Sequence, residues 1–474
     1  MNRPGSEPSW DTENEVLSPA TSHKVGVGSV ILLGLSGQQI IPAALIGAAY
    51  MPLESGNGAW LSMLLAMCAT WCVMSAVNIF ARRYVVTGSL MSYVGLVFGK
   101  RLERLVAGSY LLGFLIACAA VTASTVMFTS SFLHSVGLEF ANAGWFQSLS
   151  AIAIAILAGT CAWRGLDASI SLTAWLAFLS LPLVLVATVS AASQSGLDIQ
   201  SQAVLAETDW HSIVRGAIVG LAYFVGIDAL ASLAAETKNP KKNVPVILTS
   251  VLLITGITYV VVLLVCTPLM NAHVAELNEG LSPTAIITRA AGMEYLQNPI
   301  DLLLIGATFA SLVAFINYGS RVFATAALNR FIPEIFSRIH PKFGSPTGAT
   351  ILMSVPSAVI PVALQTLAAS PPLQSTAYLS TLYSLFWVGP YIILCIGAIK
   401  EIFRETNRNL LQIVVVFTGM GAFLALLVDS FFSGAEGVMY WLPYITVGLT
   451  IAGYFALTVN QALSKPTTPS EAIL

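Results

Sequence analysis

Residues 220–245 read GLAYFVGIDALASLAAETKNPKKNVP. The stretch opens like a membrane-crossing helix, apolar and aromatic, with no charge before Asp228. It places Gly226 and Asp228 in its middle and stops in a cluster of Lys, Asn and Pro. Hydrocarbon offers a broken backbone no hydrogen-bond partners, so a glycine break beside a carboxylate survives at that depth only where the chain lines a cavity or is covered by protein.

Working outward, the rest of the chain shows that lipid is its solvent. Of 474 residues, 56% are hydrophobic and 9% charged, against about 25% charged in soluble domains. About twelve apolar runs are long enough to cross a bilayer. They fall at 25–49, 57–80, 103–133, 146–163, 168–193, 213–235, 245–270, 299–327, 347–367, 376–399, 409–432 and 438–462. The fold class expected is an all-α polytopic membrane protein. The longest outward segments, 194–212 and 271–298, are too short for a soluble domain. The second contains SPTAIITRAAGM, where Ser282 and Pro283 suit an N-cap and first turn, so a short amphipathic helix is expected over the outer mouth. Residues 1–24 and 464–474 are polar and read as disordered cytoplasmic tails, the first without a signal-peptide core.

Charge sets the orientation. With the N-terminus cytoplasmic, inside loops hold Arg82, Arg83, Lys100, Arg101, Arg104, Arg164, Lys238, Lys241, Lys242, Arg330, Arg338, Lys342, Lys400, Arg404 and Arg408. Outside loops hold Glu54, Glu139, Asp198, Glu207, Asp209, Glu276 and Glu279, with Arg215 and Arg289 the outward basic residues. This bias places both termini in the cytoplasm; the membrane expected is the plasma (inner) membrane. The net charge of -2 carries no sign of a nucleic-acid partner. The six cysteines all lie in apolar runs and imply no disulfide framework, and no metal site or cofactor is expected.

Glycine-interrupted spans recur at two places. Span 1 contains GLSGQQIIP, with Gly34, Leu35, Ser36, Gly37 and Gln38 ahead of Pro42; span 6 contains Gly226 and Asp228. Five spans separate them, so two copies of a five-span unit would run in opposite directions. Paired broken spans in corresponding halves point to a transporter's binding site. Half-helix N-termini there offer N–H donors to an anionic group, and C-terminal ends offer carbonyls to a cation. Asp228 adds an ionisable group, though it also suits a tie between helices.

The motif GLAYFVGIDALASLAAETKNPKKNVPVIL resembles span 6 of the amino acid–polyamine–organocation (APC) permeases. Their pattern there is an aromatic stretch, a glycine and an acid, then Glu-x-x-Asn-Pro and a basic pair before Pro, matched by Glu236, Asn239, Pro240, Lys241, Lys242 and Pro245. Two further stretches are similar to family motifs: GSRVFATAALNRFIPEIFSRIHPKFGSP around the end of span 8, and TGSLMSYVGLVFGKRLERLVAGSY before span 3. The resemblance covers nearly the whole chain. It implies a LeuT-type fold: an inverted repeat over residues 25–193 and 213–399, broken helices 1 and 6, and two extra helices within 400–463. It also implies a secondary transporter with its substrate between the two breaks.

Three departures from the family shape the expected site. Leu32 stands where the first break glycine of span 1 belongs, and Gly34 keeps the second, which shifts the unwound segment toward GLSGQQ. Ala222 occupies the place of a bulky aromatic gate, so either Tyr223 or Phe224 supplies the gate or the pocket is larger. Span 5 lacks the lysine of many proton-coupled members; Ser180 stands there, and Ser311 and Thr308 face it from span 8. Those hydroxyls suit Na⁺, unless they bond their own helix backbone. Tyr383 and Trp387 read as packing or cavity-lining aromatics, Asp429 as a structural or surface acid, and Arg321 as a positive-inside anchor or inner-gate partner. The expected substrate is an amino acid or related amine, moved with H⁺ or by exchange; Na⁺ coupling through Ser180, Thr308 and Ser311 is the alternative, with Asp228 the H⁺ candidate. An enzyme is not expected, because the intramembrane ionisable groups are not spaced for catalysis. A channel is the other rival class, and no repeated filter is visible.

Overall fold

A computed structural model describes residues 24–165, 182, 184–194, 199–205, 208–278, 282–405, 409–432 and 437–463. Both expected tails, apart from Lys24, lie outside the described residues, as does most of the expected span 168–193, including Ser180.

In chain order the helices are α1 (Val27–Gly37), α2 (Ile40–Ser55), α3 (Ala59–Ala81), α4 (Leu90–Phe98), α5 (Lys100–Ser135) and α6 (Gly144–Trp163). After α7 (Val184–Gln194) come α8 (Trp210–Gly220), α9 (Pro240–Ala272), α10 (Pro283–Ala290) and α11 (Gln297–Leu328). The last are α12 (Thr347–Leu367), α13 (Pro372–Arg404), α14 (Leu410–Phe432) and α15 (Val438–Leu463). Between α8 and α9 the chain is 3₁₀-helical at Leu221–Phe224 and Ile227–Glu236. Outside the helices the described residues carry two isolated bridges, Val25 with Thr237 and Ile339 with Pro346.

Ten runs among the described residues are long and apolar enough to cross a membrane. The first, Val27–Ala81, has 55 residues; at about 1.5 Å per residue it is more than twice the roughly 30 Å of a hydrocarbon core and must cross twice. It turns at Gly56, where φ is +49°. The expected helix at the outer mouth is α10: Ser282 accepts a hydrogen bond from Ala285 N at 3.3 Å, and Pro283 opens the first turn.

Burial separates a core from a rim. In α5, 78% of the most apolar window is buried, against 17% in α14 and 22% in α15, so the last two helices present most of their surface to lipid. Span 2 packs on span 7 (α3 on α9), span 3 on span 8 (α5 on α11) and span 4 on span 9 (α6 on α12).

Two glycines let the broken spans pack closely. A Cβ at Gly34 would stand 2.6 Å from Leu230 Cδ1, and one at Gly37 would stand 2.5 Å from Tyr318 Oη. Tyr318 is fully buried and has little room to move. Gly37→Ala is expected to destabilise the detergent-solubilised protein by about 1–3 kcal/mol, the usual effect of overpacking. Gly448→Ala, where a Cβ would meet nothing within 4 Å, is expected to leave the melting temperature unchanged or slightly raised. Equal melting curves for the two variants would refute this packing argument.

Candidate functional site

Proline chemistry places the first break. Pro42 has no N–H, so the carbonyl four residues earlier, on Gln38, has no helical partner. Tyr259 of α9 donates to it at 2.8 Å. Between α1 and α2, Gln39 adopts left-handed φ 50° and ψ 46°, which a non-glycine residue adopts only under constraint. The neighbouring carbonyl, on Gly37, accepts from Ser311 of α11 at 2.8 Å. The unwound residues are thus Gln38 and Gln39, at the C-terminal end of GLSGQQ.

A glycine makes the second break. Val225 is extended, Gly226 takes φ +93°, and the ten residues after it wind as 3₁₀ helix. Such helices rarely exceed three or four residues and often mark hinges. A Cβ at Gly226 would meet Phe315 at an unremarkable 3.4 Å, so glycine is required there by the backbone, not by space. One face of α11 touches both breaks: Ser311 holds Gly37 O, Phe315 lies over Gly226, and Tyr318 lies over Gly37.

Asp228 sits in the first turn after this break and is fully buried. Tyr110 of α5 donates to Oδ2 and Tyr391 of α13 to Oδ1, each at 2.5 Å. Its backbone carbonyl accepts from Ser89 Oγ at 2.9 Å. Tyr391 Oη also accepts the Gly226 N–H at 3.2 Å. Among the described residues no Lys, Arg or His pairs with Asp228. Trp387 stands edge-on to Tyr110 at 5.2 Å; its indole N–H lies beside the carboxylate but falls short of a hydrogen bond.

The N-terminal end of span 1 and the C-terminal end of span 6 are tied together. Val25 N donates to Glu236 O at 2.8 Å, and Lys238 N donates to Val25 O at 3.2 Å. Arg321 holds the Glu236 carboxylate with Nε at 3.0 Å and Nη2 at 2.8 Å, while its Nη1 donates to Asn317 O at 2.6 Å. Arg321 is thus a buried partner of Glu236, the acid at the C-terminal end of the span 6 half-helix. Arg215 and Arg289, the basic residues expected to face outward, pair with Glu54 and Glu276.

Of the residues singled out in the sequence, Gly37, Gln38, Gly226 and Asp228 lie at the breaks themselves. Gly34, Leu35 and Ser36 lie in the last turn of α1, and the buried Ser36 Oγ has no partner among the described residues. Phe224 is buried against Tyr259, and Tyr223 is half-buried, edge-on to the same ring at 6.1 Å. Ala222 is half-buried one residue before Tyr223. Ser311 reaches across to span 1, whereas Thr308 bonds Leu304 O at 2.9 Å in its own helix and joins neither break. Ser180 lies outside the described residues. Reasoning from the sequence missed Tyr110, Tyr391, Ser89 and Tyr259, although Ser89 and Tyr110 belong to the third quoted motif and Tyr391 follows the helix-breaking Pro390.

A family model for amino acid permeases matches residues 25–457. The chain belongs to the amino acid permease family. This permease is 25% identical to cationic amino acid transporter 5 of Arabidopsis thaliana, over 71% of this chain and 58% of the relative. It is 25% identical to a branched-chain amino acid permease and to a methylthioribose transporter of Bacillus subtilis, in each case over 71% of this chain and 72% of the relative. The chain thus spans less than two thirds of the plant transporter's length. The permease is a multi-pass membrane protein with the all-α fold of its family, and that family consists of transporters, not enzymes.

The ion pair between Arg321 and Glu236 is largely buried, with Arg321 4% exposed. Removing one partner of such a pair destabilises by about 3–5 kcal/mol, because the other charge is left uncompensated. Arg321→Met is therefore expected to lower stability by about that amount, and Arg321→Met combined with Glu236→Gln to recover at least half of it. A double variant no more stable than the single one would show that the pair is not coupled in this way.

Proposed function

We propose that this permease carries amino acids or related amines across the plasma membrane by alternating access, with both termini in the cytoplasm and with proton coupling or exchange as its energy source. The observation that carries the reading is the pair of helix breaks, at Gln38–Gln39 and at Gly226, facing one surface of α11, with a buried carboxylate in the first turn beyond the second break. The names of the relatives support amino acids as the substrate class. The packing of spans 2, 3 and 4 on spans 7, 8 and 9 supports an inverted repeat over 25–193 and 213–399. Substrate would lie among Gly34, Leu35, Ser36, Gly37, Gln38, Ala222, Tyr223, Phe224, Gly226 and Asp228. Both carboxylate oxygens of Asp228 already hold tyrosine hydroxyls, which speaks against direct pairing with a substrate amine.

One observation favours a second reading, Na⁺ symport. Ser311 Oγ leaves its own helix and lies 2.8 Å from the Gly37 carbonyl, and hydroxyl and carbonyl oxygens are the hard ligands that alkali cations take. Thr308, bonded to its own backbone, would have to turn to join them.

Uptake of L-leucine, L-arginine and their decarboxylated amines into proteoliposomes, under an imposed pH gradient and separately under a Na⁺ gradient, distinguishes these readings. Saturable uptake with trans-stimulation is expected, where a channel would show neither. Concentrative uptake is expected from the pH gradient, and Asp228→Asn is expected to keep exchange while losing accumulation. Accumulation that survives Asp228→Asn would make Asp228 a structural tie, and accumulation driven only by Na⁺ would favour the Ser311 site.

A further inference from the structure

Resting on that reading, we propose that Tyr391 is the positioning residue that passes the charge state of Asp228 to the break in span 6. Its hydroxyl donates its one proton to Asp228 Oδ1 at 2.5 Å and accepts the Gly226 N–H at 3.2 Å. Gly226 and Asp228 are two residues apart, so one phenol on α13 staples the N-terminal turn of the half-helix. Tyr110 donates to the other oxygen and has no bond to the break.

The two tyrosines therefore respond differently when Asp228 takes up a proton. An ionised carboxylate only accepts, and two phenol donors suit it. A carboxylic acid carries a donor of its own, which needs an acceptor. If the acid proton points to Tyr391, it competes with the Gly226 N–H for the phenol oxygen. The Gly226 N–H is then released at the start of the half-helix, where it can serve a substrate carboxylate with the favourable helix-end dipole. Proton and substrate would thus each favour the binding of the other.

Among the described residues Asp228 is the one carboxylate in the cluster, with no Lys, Arg or His paired to it. The titratable side chains facing it are tyrosines: Tyr93 from α4, Tyr110 from α5, Tyr318 from α11 and Tyr391 from α13. No cation pairs with it among the described residues, so a single proton switches the cluster between charged and neutral.

The test is the pH dependence of KM for exchange in proteoliposomes, with L-leucine and L-arginine as probes. In the wild type KM is expected to fall about tenfold as the pH is lowered, a typical coupling. Tyr391→Phe is expected to keep exchange but hold KM within about twofold over the same range, while Tyr110→Phe keeps the tenfold swing about a displaced midpoint. Asp228→Asn, with Tyr391 intact, supplies an independent arm should Tyr391→Phe not fold: it is expected to hold KM at the low-pH value throughout. The relay is overturned if the two phenylalanine variants behave alike, if Asp228→Asn holds the high-pH value, or if the wild type exchanges substrate with a KM indifferent to pH. Absence of saturable exchange of either probe by the wild type would instead bring down the carrier reading, and the relay with it.

Discussion

A backbone carbonyl in hydrocarbon must find a donor, and a proline removes the one four residues ahead of it. At three prolines of this bundle that demand is met from another segment. Pro42 strips the partner from Gln38 O, and Tyr259 supplies one at 2.8 Å. Pro390 strips Phe386 O, and Ser109 donates to it at 2.6 Å. Pro268 strips Leu264 O, and the Gln202 side chain donates at 2.8 Å. In each case the donor comes from another segment, so the place where a helix is weakest becomes the place where it is tied to a neighbour. A net hydrogen bond is worth only about 1 kcal/mol, but an unpaired carbonyl in a dry interior would cost several times that, so these three donors matter more than an ordinary hydrogen bond.

The same logic draws the three sequence motifs into one place. The motif before span 3 supplies Ser89 and Tyr110, both on Asp228. The span 6 motif supplies Gly226, Asp228 and Glu236. The motif at the end of span 8 supplies Arg321, on Glu236. Residues more than 100 positions apart thus serve a single half-helix, closing its first turn with tyrosines and its last residue with an arginine.

What was legible in the sequence was what depends on local chemistry and lipid. Apolar run length marked the spans, Ser282 and Pro283 marked α10, and Gly226 marked the second break, because each signal is carried by a few neighbouring residues. The position of the first break was legible to within a turn: the glycines pointed to Gly34–Gln38, whereas the unwinding sits at Gln38–Gln39, set by Pro42. The glycines serve instead as close approaches to Leu230 and Tyr318. The partners of Asp228 were not legible, because Tyr110 lies 118 positions away and Tyr391 163, and nothing in either local pattern distinguishes them from packing aromatics. The hydroxyls of span 8 divided for a similar reason: Thr308 sits where its own turn offers a carbonyl, while Ser311 faces one left open on span 1.

The donors that fill the broken spans at their breaks are hydroxyls. Gly37 O, Gln38 O, Asp228 O and both Asp228 oxygens are all served by Ser or Tyr side chains. A helical N–H is fixed by the backbone and gives up its bond only when the turn unwinds. A hydroxyl rotates about a single bond and both donates and accepts, so it can follow a displaced carbonyl or exchange it for a ligand while the number of hydrogen bonds stays constant. The barrier to moving such a segment is then the repacking of side chains, not the exposure of bare peptide to lipid. Main-chain bonds from Val25 to Glu236 and Lys238 hold the N-terminal end of span 1 to the C-terminal end of span 6 by the opposite means, with partners that cannot turn. The broken spans are therefore held by rotatable donors at their breaks and by main-chain bonds at one end.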